Sequence, residues 1–477
     1  MSTLRWRMAT RVAGVLCVGG LVACGGDTTS GDDDTSATPG PELAEAGFVL
    51  AGVVTDATGA PVVGGRVVIE GYGETVTDSL GFYTFSLLEP PEDTSLVVEF
   101  DSPLGGRTEK VVEFDPTYPY VAAAAVLPIP EPPATLDAEA GGVLDFGRVR
   151  LTFPPNAFVT PEGDPVSGEV SVSVILFDPV AGTNMNALPN MVAESDESAA
   201  AAHTVPVEED PDLVLLRTLG MVDVEITQEN PLDGTRIQLD LAPGVTSTIE
   251  LVGLASEQTN PLTGEPFQAG DTNPLYFLPD GKNIWTLEDR EGWSAADATD
   301  GSGTLSLFAE VGHYTKWNDD VRCPDNCVQG VVTYLCAESK DREVGLPNVE
   351  VNLWGEGGSC SPWHTYTYTD RSGAYCSKAS SDSDVYAIFV YTFLYTDKDG
   401  NPAATAIEER VDGSRPTTSS DISCGHPDCL PINLTLSCLS LIDDYGVDEE
   451  AAYGIERELC GMPADKEARF EASKCGQ

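Results

Sequence analysis

The chain has 477 residues and is strongly acidic, since 77 Asp and Glu residues outnumber 25 Lys and Arg and give a net charge of −52 at pH 7. A charge of this sign and size is repelled by phosphate backbones and by anionic lipid surfaces, which excludes DNA or RNA as a partner. The length exceeds what one hydrophobic core supports, so we expect two to four domains.

The first residues have the pattern of an export signal. Three arginines within the first eleven residues precede the apolar run 12–22, which is shorter than the about 20 apolar residues that span a bilayer. The run ends in Leu21-Val22-Ala23-Cys24, which resembles the lipobox of bacterial lipoproteins. The resemblance implies a signal peptide, 1–23, and acylation of Cys24, whose acyl chains hold the protein to a membrane at about 0.8 kcal/mol per buried CH₂. The alternative is an ordinary secretory signal that contains a cysteine.

The residues after the signal bear on location. In enteric bacteria an Asp directly after the acylated cysteine retains lipoproteins in the inner membrane, and this chain has Gly25 there. The resemblance therefore implies a lipid-anchored protein of the bacterial cell envelope, in the outer membrane. Residues 24–46 are rich in Asp, Gly, Ser, Thr and Pro and lack the apolar residues of a core, which predicts a flexible acidic tether.

Short β-rich runs separated by turn residues occupy the next region, 47–128. They predict the strands Phe48–Val54, Arg66–Glu70, Glu74–Thr77, Phe82–Leu87 and Ser95–Phe100. Strands at this spacing predict a small antiparallel β-sandwich. The fold class expected for the chain is all-β, with several β-sandwiches of prealbumin-like or immunoglobulin-like type and a short disulfide-stabilised helical tail.

Three blocks of this region recur in the same order near the end of the chain. The matching blocks are 52–55 with 330–333, 59–69 with 345–353, and 77–83 with 369–375. In the second pair Pro61 corresponds to Pro347, and in the third a Thr-Asp-x-x-Gly-x-Tyr pattern is shared. Repetition in a fixed order predicts a duplicated domain type.

The repeated blocks resemble the carboxypeptidase regulatory-like family. The Gly-Val-Val-Thr start, the Gly-x-Pro centre and the Thr-Asp-x-x-Gly-x-Tyr turn carry the resemblance, over residues 47–128 and, less cleanly, 328–438. It implies a seven-stranded prealbumin-like sandwich that acts as a non-catalytic accessory module in exported and surface proteins. The second copy differs by its cysteines and by an insertion, 356–368, expected between two strands.

The middle region, 129–320, is predicted to be a larger β-rich domain. Val170, Val172 and Val174 alternate with serines, as in a strand with one buried face. The region ends in a His-Tyr-Thr-x-Trp-Asn element at 313–318. The order of these elements resembles the ectodomains of cartilage intermediate layer proteins, which implies an extracellular structural or adhesive role. His313 is expected to hydrogen-bond at the end of a core strand, with a site at this residue as the alternative.

Cysteines are absent between Gly25 and Arg322 and frequent afterwards. An even number of cysteines in an exported segment predicts disulfides, five at most, in a second regulatory-like sandwich, 321–440, and a tail, 441–477. The disulfide candidates are Cys323, Cys327, Cys336, Cys360, Cys376, Cys424, Cys429, Cys438, Cys460 and Cys475. The alternative is a zinc site built from Cys323, Cys327, Cys424, His426 and Cys429.

Two segments lack the β pattern. Residues 193–212 are rich in Ala, Glu, Asp and Ser and predict an exposed loop. In the tail, 448–452 and 466–472 favour helix. Cys460 and Cys475 would either join these helices or reach back to the sandwich.

No catalytic pattern surrounds the four histidines, His203, His313, His364 and His426, because none has zinc-protease spacing. No nucleophile elbow and no phosphate-binding glycine loop occurs either. We therefore expect no enzymatic activity, no metal centre and no cofactor; a hydrolase with an unrecognised acid pair is the remaining enzymatic alternative. The run 397–401 is better explained by a hairpin between 385–396 and 403–411 than by a calcium loop. The acidity fits solubility, a saline habitat or weak structural Ca²⁺ binding.

Aromatic residues near the predicted insertion are the best ligand candidates: Trp354, Trp363, Tyr366 and Tyr368. Exposed Trp faces stack on sugars, and sandwich loops often bind ligands. The alternative is that these rings pack around disulfides. The sequence thus predicts a non-catalytic, membrane-anchored surface lipoprotein for adhesion or envelope interaction, whose partners are the membrane and a glycan or an envelope or extracellular protein. A carbohydrate-binding surface protein is the alternative.

Overall fold

The structure is a computed structural model that describes residues 47–460 with internal gaps. The residues left out within this range are 93, 119, 195–212, 230–234, 261–262, 280, 289–291, 337–341, 397–401 and 417–423. The described chain forms three β-sandwiches followed by two short α-helices, which confirms the predicted fold class. The signal peptide, Cys24, the tether and Cys475 lie outside the described residues. Among the helices of the described ranges, none has the length and apolar character to cross a membrane.

The first sandwich joins two four-stranded sheets. Its strands are β1 (Phe48–Asp56), β2 (Arg66–Ile69), β3 (Gly73–Val76), β4 (Phe82–Leu87), β5 (Ser95–Asp101), β6 (Arg107–Glu113), β7 (Tyr120–Ala122) and β8 (Ala125–Leu127). In one sheet β1 pairs antiparallel with β4 and parallel with β7 and β8, and the other has the order β3-β2-β5-β6. All five strands predicted here are present within two residues of their expected ends.

Period-2 alternation builds the core of this sandwich. In β5, Leu96, Val98 and Phe100 are buried between the sheets, while Ser95 and Glu99 face solvent. Successive side chains of a strand point to opposite faces, so one apolar residue in every two is enough to line a core.

The middle sandwich packs a six-stranded sheet, β10-β11-β18-β23-β22-β19, on an eight-stranded one, whose main path is β21-β20-β24-β15-β13-β9. Its strands are β9 (Ala134–Asp137), β10 (Gly142–Asp145), β11 (Val149–Phe153), β12 (Phe158–Val159), β13 (Glu169–Phe177), β14 (Val192–Glu194), β15 (Leu213–Glu229), β16 (Arg236–Gln238), β17 (Asp240–Leu241), β18 (Ser247–Leu251), β19 (Thr272–Asn273), β20 (Leu275–Leu278), β21 (Thr286–Leu287), β22 (Trp293–Asp297), β23 (Leu305–Val311) and β24 (Lys316–Arg322). Val170, Val172 and Val174 are buried in its core, as predicted. Most of the predicted loop 193–212 lies outside the described residues.

The third sandwich contains the cysteines. Its strands are β25 (Asp325–Leu335), β26 (Glu343–Gly345), β27 (Glu350–Glu356), β28 (Trp363–Tyr368), β29 (Ala374–Ser380), β30 (Asp384–Thr396), β31 (Pro402–Asp412), β32 (Leu430–Pro431) and β33 (Leu434–Ser437), followed by α1 (Cys438–Asp443) and α2 (Glu449–Cys460). The predicted hairpin is confirmed, because β30 pairs antiparallel with β31. The insertion expected at 356–368 is wrong in part, because 363–368 form the edge strand β28.

The first and third sandwiches have the same topology. The order β3-β2-β5-β6 in one corresponds to β28-β27-β30-β31 in the other. In the remaining sheet β25 pairs antiparallel with β29 and parallel with β32 and β33, just as β1 pairs with β4, β7 and β8. The shared topology follows the shared sequence blocks.

The Thr-Asp-x-x-Gly-x-Tyr pattern has the same physical role in both sandwiches. The Asp78 carboxylate accepts hydrogen bonds from the backbone N–H groups of residues 80 and 82, as Asp370 does from residues 372 and 374. The Tyr83 hydroxyl donates to the carbonyl of Ala123 at 2.8 Å, and Tyr375 donates to Ile432 at 2.7 Å. The motif therefore closes a turn and ties the sheet to its parallel strand.

Hydrogen bonds also correct the alignment of the central block. The hydroxyl of Thr77 donates to the carbonyl of Val62, and Thr369 donates to Leu346. Val62 is thus equivalent to Leu346, and the shared proline does not mark equivalent positions. Counting onward, Gly64 corresponds to Asn348, and both have a positive φ, 68° and 56°. A left-handed backbone favours Gly or Asn, which explains both residues.

Four disulfides join cysteines that are distant in sequence. They are Cys323–Cys360, Cys327–Cys429, Cys336–Cys460 and Cys376–Cys424, with Cα–Cα distances of 4.8–5.9 Å. Cys438 is disulfide-bonded as well. The predicted disulfide bonds are confirmed for the described residues, and Cys460 reaches back to the sandwich. The zinc alternative is wrong for Cys323, Cys327, Cys424 and Cys429, whose sulfurs are bonded to other cysteines.

Removing the Cys336–Cys460 disulfide is expected to lower the free energy of unfolding by about 2–5 kcal/mol, because the bond closes a long loop in the unfolded chain. Its sequence separation is 124 residues. The variant is the double substitution Cys336→Ser and Cys460→Ser, measured by urea denaturation. A loss below about 0.5 kcal/mol would show that α2 is held by its apolar packing alone.

Candidate functional site

The outer face of the sheet β28-β27-β30-β31 contains most of the aromatic residues that the sequence singles out. Because strand residues alternate, Tyr366, Tyr368, Glu350 and Trp354 belong to this face, and Trp363 does not. We call it the outer face below. Its contacts decide whether the aromatic residues are available to a ligand.

Trp363 is fully buried in the core of the third sandwich. Its indole N–H donates to the hydroxyl of Ser383 at 3.2 Å. Gly355 lies opposite on β27, where a Cβ atom would come within 2.1 Å of the indole nitrogen, so the ring occupies the space that this glycine leaves. The expectation that Trp363 is an exposed ligand residue is therefore wrong, because the strand alternation turns it inward.

Tyr366 and Tyr368 contact the first sandwich. The backbone N–H of Val111 donates to the Tyr366 hydroxyl at 3.1 Å, and the Lys110 ammonium lies 4.7 Å from the centre of that ring. Tyr368 packs into the core of the first sandwich. Burial raises the pKa of both phenols well above their usual range, so the hydroxyls are neutral. These two predicted ligand residues form an interface within the chain.

A buried ion pair lies beside these tyrosines. Lys110 of the first sandwich contacts Glu350 of the third, with side-chain exposures of 11% and 0%. The ammonium also donates to the carbonyl of Ala124 at 2.7 Å, and the Ala124 N–H donates to the second Glu350 oxygen at 2.8 Å. Asn352 donates to Glu350 at 2.6 Å. Both charges are thus paired and hydrogen-bonded, as burial of an ion pair requires.

A second set of bonds extends the interface along the turn before β27. The side-chain oxygen of Asn348 accepts from the Asp115 N–H, and its amide donates to the Tyr120 carbonyl, both at 2.8 Å. Arg371 forms an ion pair with Asp115 and holds the pKa of that carboxyl well below its usual range. The Tyr391 hydroxyl donates to that of Tyr120 at 2.6 Å. The contact between the two sandwiches is therefore extensive and largely polar.

His364 joins the outer face to the middle sandwich. Its Nδ1 lies 2.8 Å from the carbonyl of Leu188, and its own carbonyl accepts from the Met191 N–H at 2.7 Å. Burial, with a smaller contribution from the Lys110 charge, lowers the pKa of His364 to about 3. The ring is thus neutral near pH 7, and its Nε2 lies 3.1 Å from the side-chain oxygen of Asn352. Strand β28 therefore contacts both other sandwiches.

Trp354 belongs to a row of stacked side chains across the sheet. Its ring stacks on His364 at 4.2 Å and is parallel to Tyr386 at 6.5 Å, and the Arg410 guanidinium lies 3.5 Å from the Tyr386 ring. The Trp354 ring therefore has His364 on one face and Tyr386 on the other. Sugar stacking needs an open ring face, so the row favours a structural role for Trp354.

A narrow cleft with no room for a ligand lies between the first and middle sandwiches and is lined in part by Arg107, Asp223 and Glu225. Arg107 forms ion pairs there with Asp223 at 3.2 Å and Glu225 at 3.1 Å. Arg107 of the first sandwich is thus paired with two carboxylates of the middle sandwich, and the cleft is a contact between the two sandwiches.

Two adjacent carboxyl groups are fully buried in β24, Asp319 and Asp320. The Asn273 amide donates to Asp319 at 3.4 Å, and Asn318 donates to Asp320 at 2.5 Å, but one oxygen of each carboxyl has no hydrogen-bond partner among the described residues. Burial raises the pKa of Asp319 to about 8 and raises that of Asp320 well above its usual range. Both acids are enclosed, so no substrate reaches them.

The other histidines have structural surroundings. His313 packs on Trp317 with a ring distance of 4.6 Å, and its Nε2 lies 3.6 Å from Glu288. His426 is half exposed on the loop between two disulfide cysteines, beside Asp428. His203 lies outside the described residues.

Cys336, Glu456 and Cys460 place three potential metal-ligand atoms within 4.8 Å of one another, but the two sulfurs are bonded to each other.

Sequence reasoning missed the residues that build the interface: Lys110, Asn348, Glu350 and His364. In the pattern Val349-Glu350-Val351-Asn352, alternation predicts that Glu350 faces water. Only the docking of another sandwich on that side buries it. The one available signal is the row of aromatic residues at 366 and 368, which is unusual for a solvent face.

No family model matches the chain. The chain is similar to cartilage intermediate layer protein 2 of Mus musculus, with 29% identity over 201 residues that cover 39% of this chain and 15% of the mouse protein. Among solved structures it is similar to BcpA, the major pilin subunit of Bacillus cereus, with 10% identity, coverage of 82% and 98% and a TM-score of 0.14. The full-length major pilin SpaD of Corynebacterium diphtheriae gives 9% identity, coverage of 83% and 98% and a TM-score of 0.15.

The match to the mouse protein agrees with the resemblance that the sequence indicates. The chain spans 15% of that protein's length, so the match concerns a shared region. The TM-scores of the two pilins are too low to support any conclusion about this chain.

Proposed function

We propose that the protein is a non-catalytic, membrane-anchored surface lipoprotein that serves as a scaffold for adhesion or envelope interaction. The supporting observation is that the outer face, with its aromatic residues, is used to join the three sandwiches to one another. Such a chain presents a rigid body, whereas an enzyme or a sugar-binding protein needs an open site. The proposed partners are the membrane and an envelope or extracellular protein.

The anchor is proposed from the sequence. The lipobox-like run ends at Cys24, and the first strand begins at Phe48, so a tether of acidic and small residues separates the anchor from the folded body. The absence of Asp at position 25 supports an outer-membrane location. The similarity to cartilage intermediate layer protein 2 supports an extracellular structural role.

The non-catalytic role is proposed from the acids and the histidines. Asp319 and Asp320 form the most conspicuous acid pair, but both are enclosed. A glycosidase needs two carboxyl groups that flank an accessible bond. The protein is proposed to work without a cofactor.

Substituting Cys24 with Ser is expected to release the protein from the membrane, because the acylated sulfur is lost and no acyl chain remains. The measurement is fractionation of cells that express the full chain, followed by immunoblotting of membrane and soluble fractions. The matched control is Cys17→Ser, which changes the other cysteine of the leader. If Cys24→Ser stays in the membrane fraction to the same extent as the parent, the lipoprotein proposal fails.

The carbohydrate-binding alternative is tested by a glycan array with the parent chain and Trp354→Ala. Because His364 and Tyr386 cover the two faces of the Trp354 ring, we expect no specific glycan signal. A glycan that binds the parent and is lost in Trp354→Ala would favour the alternative over the scaffold.

A further inference from the structure

Lys110 and the side chain of Asn352 share one carboxylate oxygen. The Lys110 ammonium and the Asn352 side-chain N–H both donate to Oε1 of Glu350, the amide at 2.6 Å. Two donors on one oxygen lie about 4 Å apart, so the amine is held beside the Asn352 amide group. The ammonium also lies 4.7 Å from the ring centre of Tyr366, which pairs with Asn352 across β27 and β28. Two independent contacts thus place the amine next to this amide.

The topology of the sandwich does not require an acid and an amide at these positions. Gly64 corresponds to Asn348, so Glu350 and Asn352 correspond to Arg66 and Val68 of the first sandwich. The two groups are therefore particular to the sandwich that contacts Lys110. A buried ion pair by itself is often no more stabilising than apolar residues of the same volume.

The surroundings favour a reaction between the amine and the amide. Glu350 is fully buried and the Lys110 side chain is 11% exposed, so little water competes at the site. Proton transfer from the ammonium to the carboxylate removes two buried charges, which are costly to keep away from water. The Asn352 amide is also fixed at its other end, because its oxygen lies 3.1 Å from Nε2 of His364. A desolvated lysine amine beside a fixed amide and a carboxyl group has the elements of nucleophilic catalysis.

We propose that the side chains of Lys110 and Asn352 form an isopeptide bond that joins the first and third sandwiches. Glu350 takes a proton from the ammonium, and the neutral amine then attacks the side-chain carbon Cγ of Asn352. Glu350 passes its proton to Nδ2 and takes one from the attacking nitrogen. The bond between Cγ and Nδ2 breaks, and Nδ2 leaves as ammonia.

The products are neutral, because Glu350 keeps one proton and the lysine nitrogen becomes an amide. The reaction thus replaces a buried ion pair by uncharged groups and consumes no oxidant, reductant or co-reactant. The strands of the middle sandwich, β9 to β24, all lie between Lys110 and Asn352 in the chain. The bond therefore closes a covalent ring that includes the middle sandwich. This goes beyond the proposed scaffold function and does not depend on the anchor.

The first test is mass spectrometry of the full chain after reduction, denaturation and digestion with trypsin. An isopeptide bond blocks cleavage after Lys110, so we expect one branched product of the peptides 108–148 and 343–371. Its mass is expected to be about 17 Da below the sum of the two peptides, because one ammonia has left. A peptide that ends at Lys110, together with 343–371 at its full mass and no branched product, would overturn the proposal.

Lys316 is the matched control within the same digest. It also contacts a buried carboxylate, that of Asp223, at 3.9 Å. Among the described residues no Asn or Gln side chain is bonded to that carboxylate. We therefore expect normal cleavage after Lys316. Branched products at Lys316 in the same yield as at Lys110 would show that the linkage arises during handling, which would contradict the proposal.

The second test uses Glu350→Gln and Asn352→Ser, which remove the proton acceptor and the amide respectively. Each is expected to lower the yield of the branched product by at least about tenfold, since the reaction needs both groups. The four disulfides of each variant, mapped before reduction, check that the third sandwich has folded. The branched product at the parental yield in either variant would overturn the assignment of these residues.

Two further comparisons separate the bond from the ion pair and from the anchor. Asn352→Ser retains Lys110 and Glu350 but not the bond, so Glu350→Ala made in that background reports the ion pair alone. Cys24→Ser is expected to contain the branched product at the parental yield, because the reaction needs only the docked sandwiches. An anchored chain without the branched product would retain the lipoprotein and reject the bond, and a soluble chain with it would do the reverse.

Discussion

Replacing Glu350 with Ala is expected to lower the free energy of unfolding by about 3–5 kcal/mol, because it leaves the Lys110 ammonium buried without its charge partner. Glu350 is fully buried and also accepts hydrogen bonds from Ala124 and Asn352. All three donors lose their acceptor in the variant. The measurement is urea denaturation of the parent and the variant at neutral pH.

The matched control for Glu350→Ala is Arg66→Ala, at the equivalent position of the first sandwich. Arg66 also forms an ion pair, but its side chain and that of Glu74 are about half exposed. An exposed pair contributes about 0–1 kcal/mol, so the control is expected to change little. The double variant Lys110→Met with Glu350→Leu should recover much of the loss, because it removes both charges together. Equal effects of Glu350→Ala and Arg66→Ala would contradict a buried junction between the sandwiches.

Stability is expected to fall as the pH rises from about 4 to about 8, through the ionisation of Asp319. The usual pKa of an Asp carboxyl is about 3.9, and burial raises that of Asp319 in the folded protein to about 8. Between these values the folded state binds more protons than the unfolded state, so the free energy of unfolding decreases with pH. The contribution of Asp319 amounts to several kcal/mol and ends near pH 8, and the neighbouring Asp320, whose pKa burial also raises, adds to the slope.

Asp319→Asn is expected to make this pH dependence shallower, because the amide keeps the size of the protonated carboxyl and cannot ionise, whereas Asp320 still ionises. The measurement is the free energy of unfolding of parent and variant at several pH values between 4 and 9. The control is Asp164→Asn, on an exposed loop, which should leave the slope unchanged. If Asp319→Asn destabilises the protein equally at every pH, the carboxyl is charged in the folded state and the account of this site is incorrect.

The strands of the three sandwiches were largely predictable from the sequence, because a strand with one buried face leaves a period-2 pattern. The turn motif was predictable for a related reason. Asp78 and Asp370 close their turns through local hydrogen bonds, and Tyr83 and Tyr375 bond to the adjacent strand. Interactions of this kind leave the same residues at the same spacing in both copies.

The interface was not predictable, because it depends on which surfaces meet. Glu350 has the pattern of a solvent-facing residue and is buried only by the first sandwich. Trp363 was assigned to the surface, although Gly355 on the neighbouring strand makes room for it in the core. Residue spacing likewise could not determine which cysteines pair, since Cys336 and Cys460 are brought together by α2.

The most direct test of the account is mass spectrometry of the protein taken from its native membrane, both intact and as non-reduced peptides. We predict an N-terminus at Cys24 with three acyl chains, together with the disulfides Cys323–Cys360, Cys327–Cys429, Cys336–Cys460 and Cys376–Cys424. That result would establish an anchored and exported scaffold. An unmodified N-terminus with free cysteines would contradict it, since neither the anchor nor the oxidised sandwich would then exist.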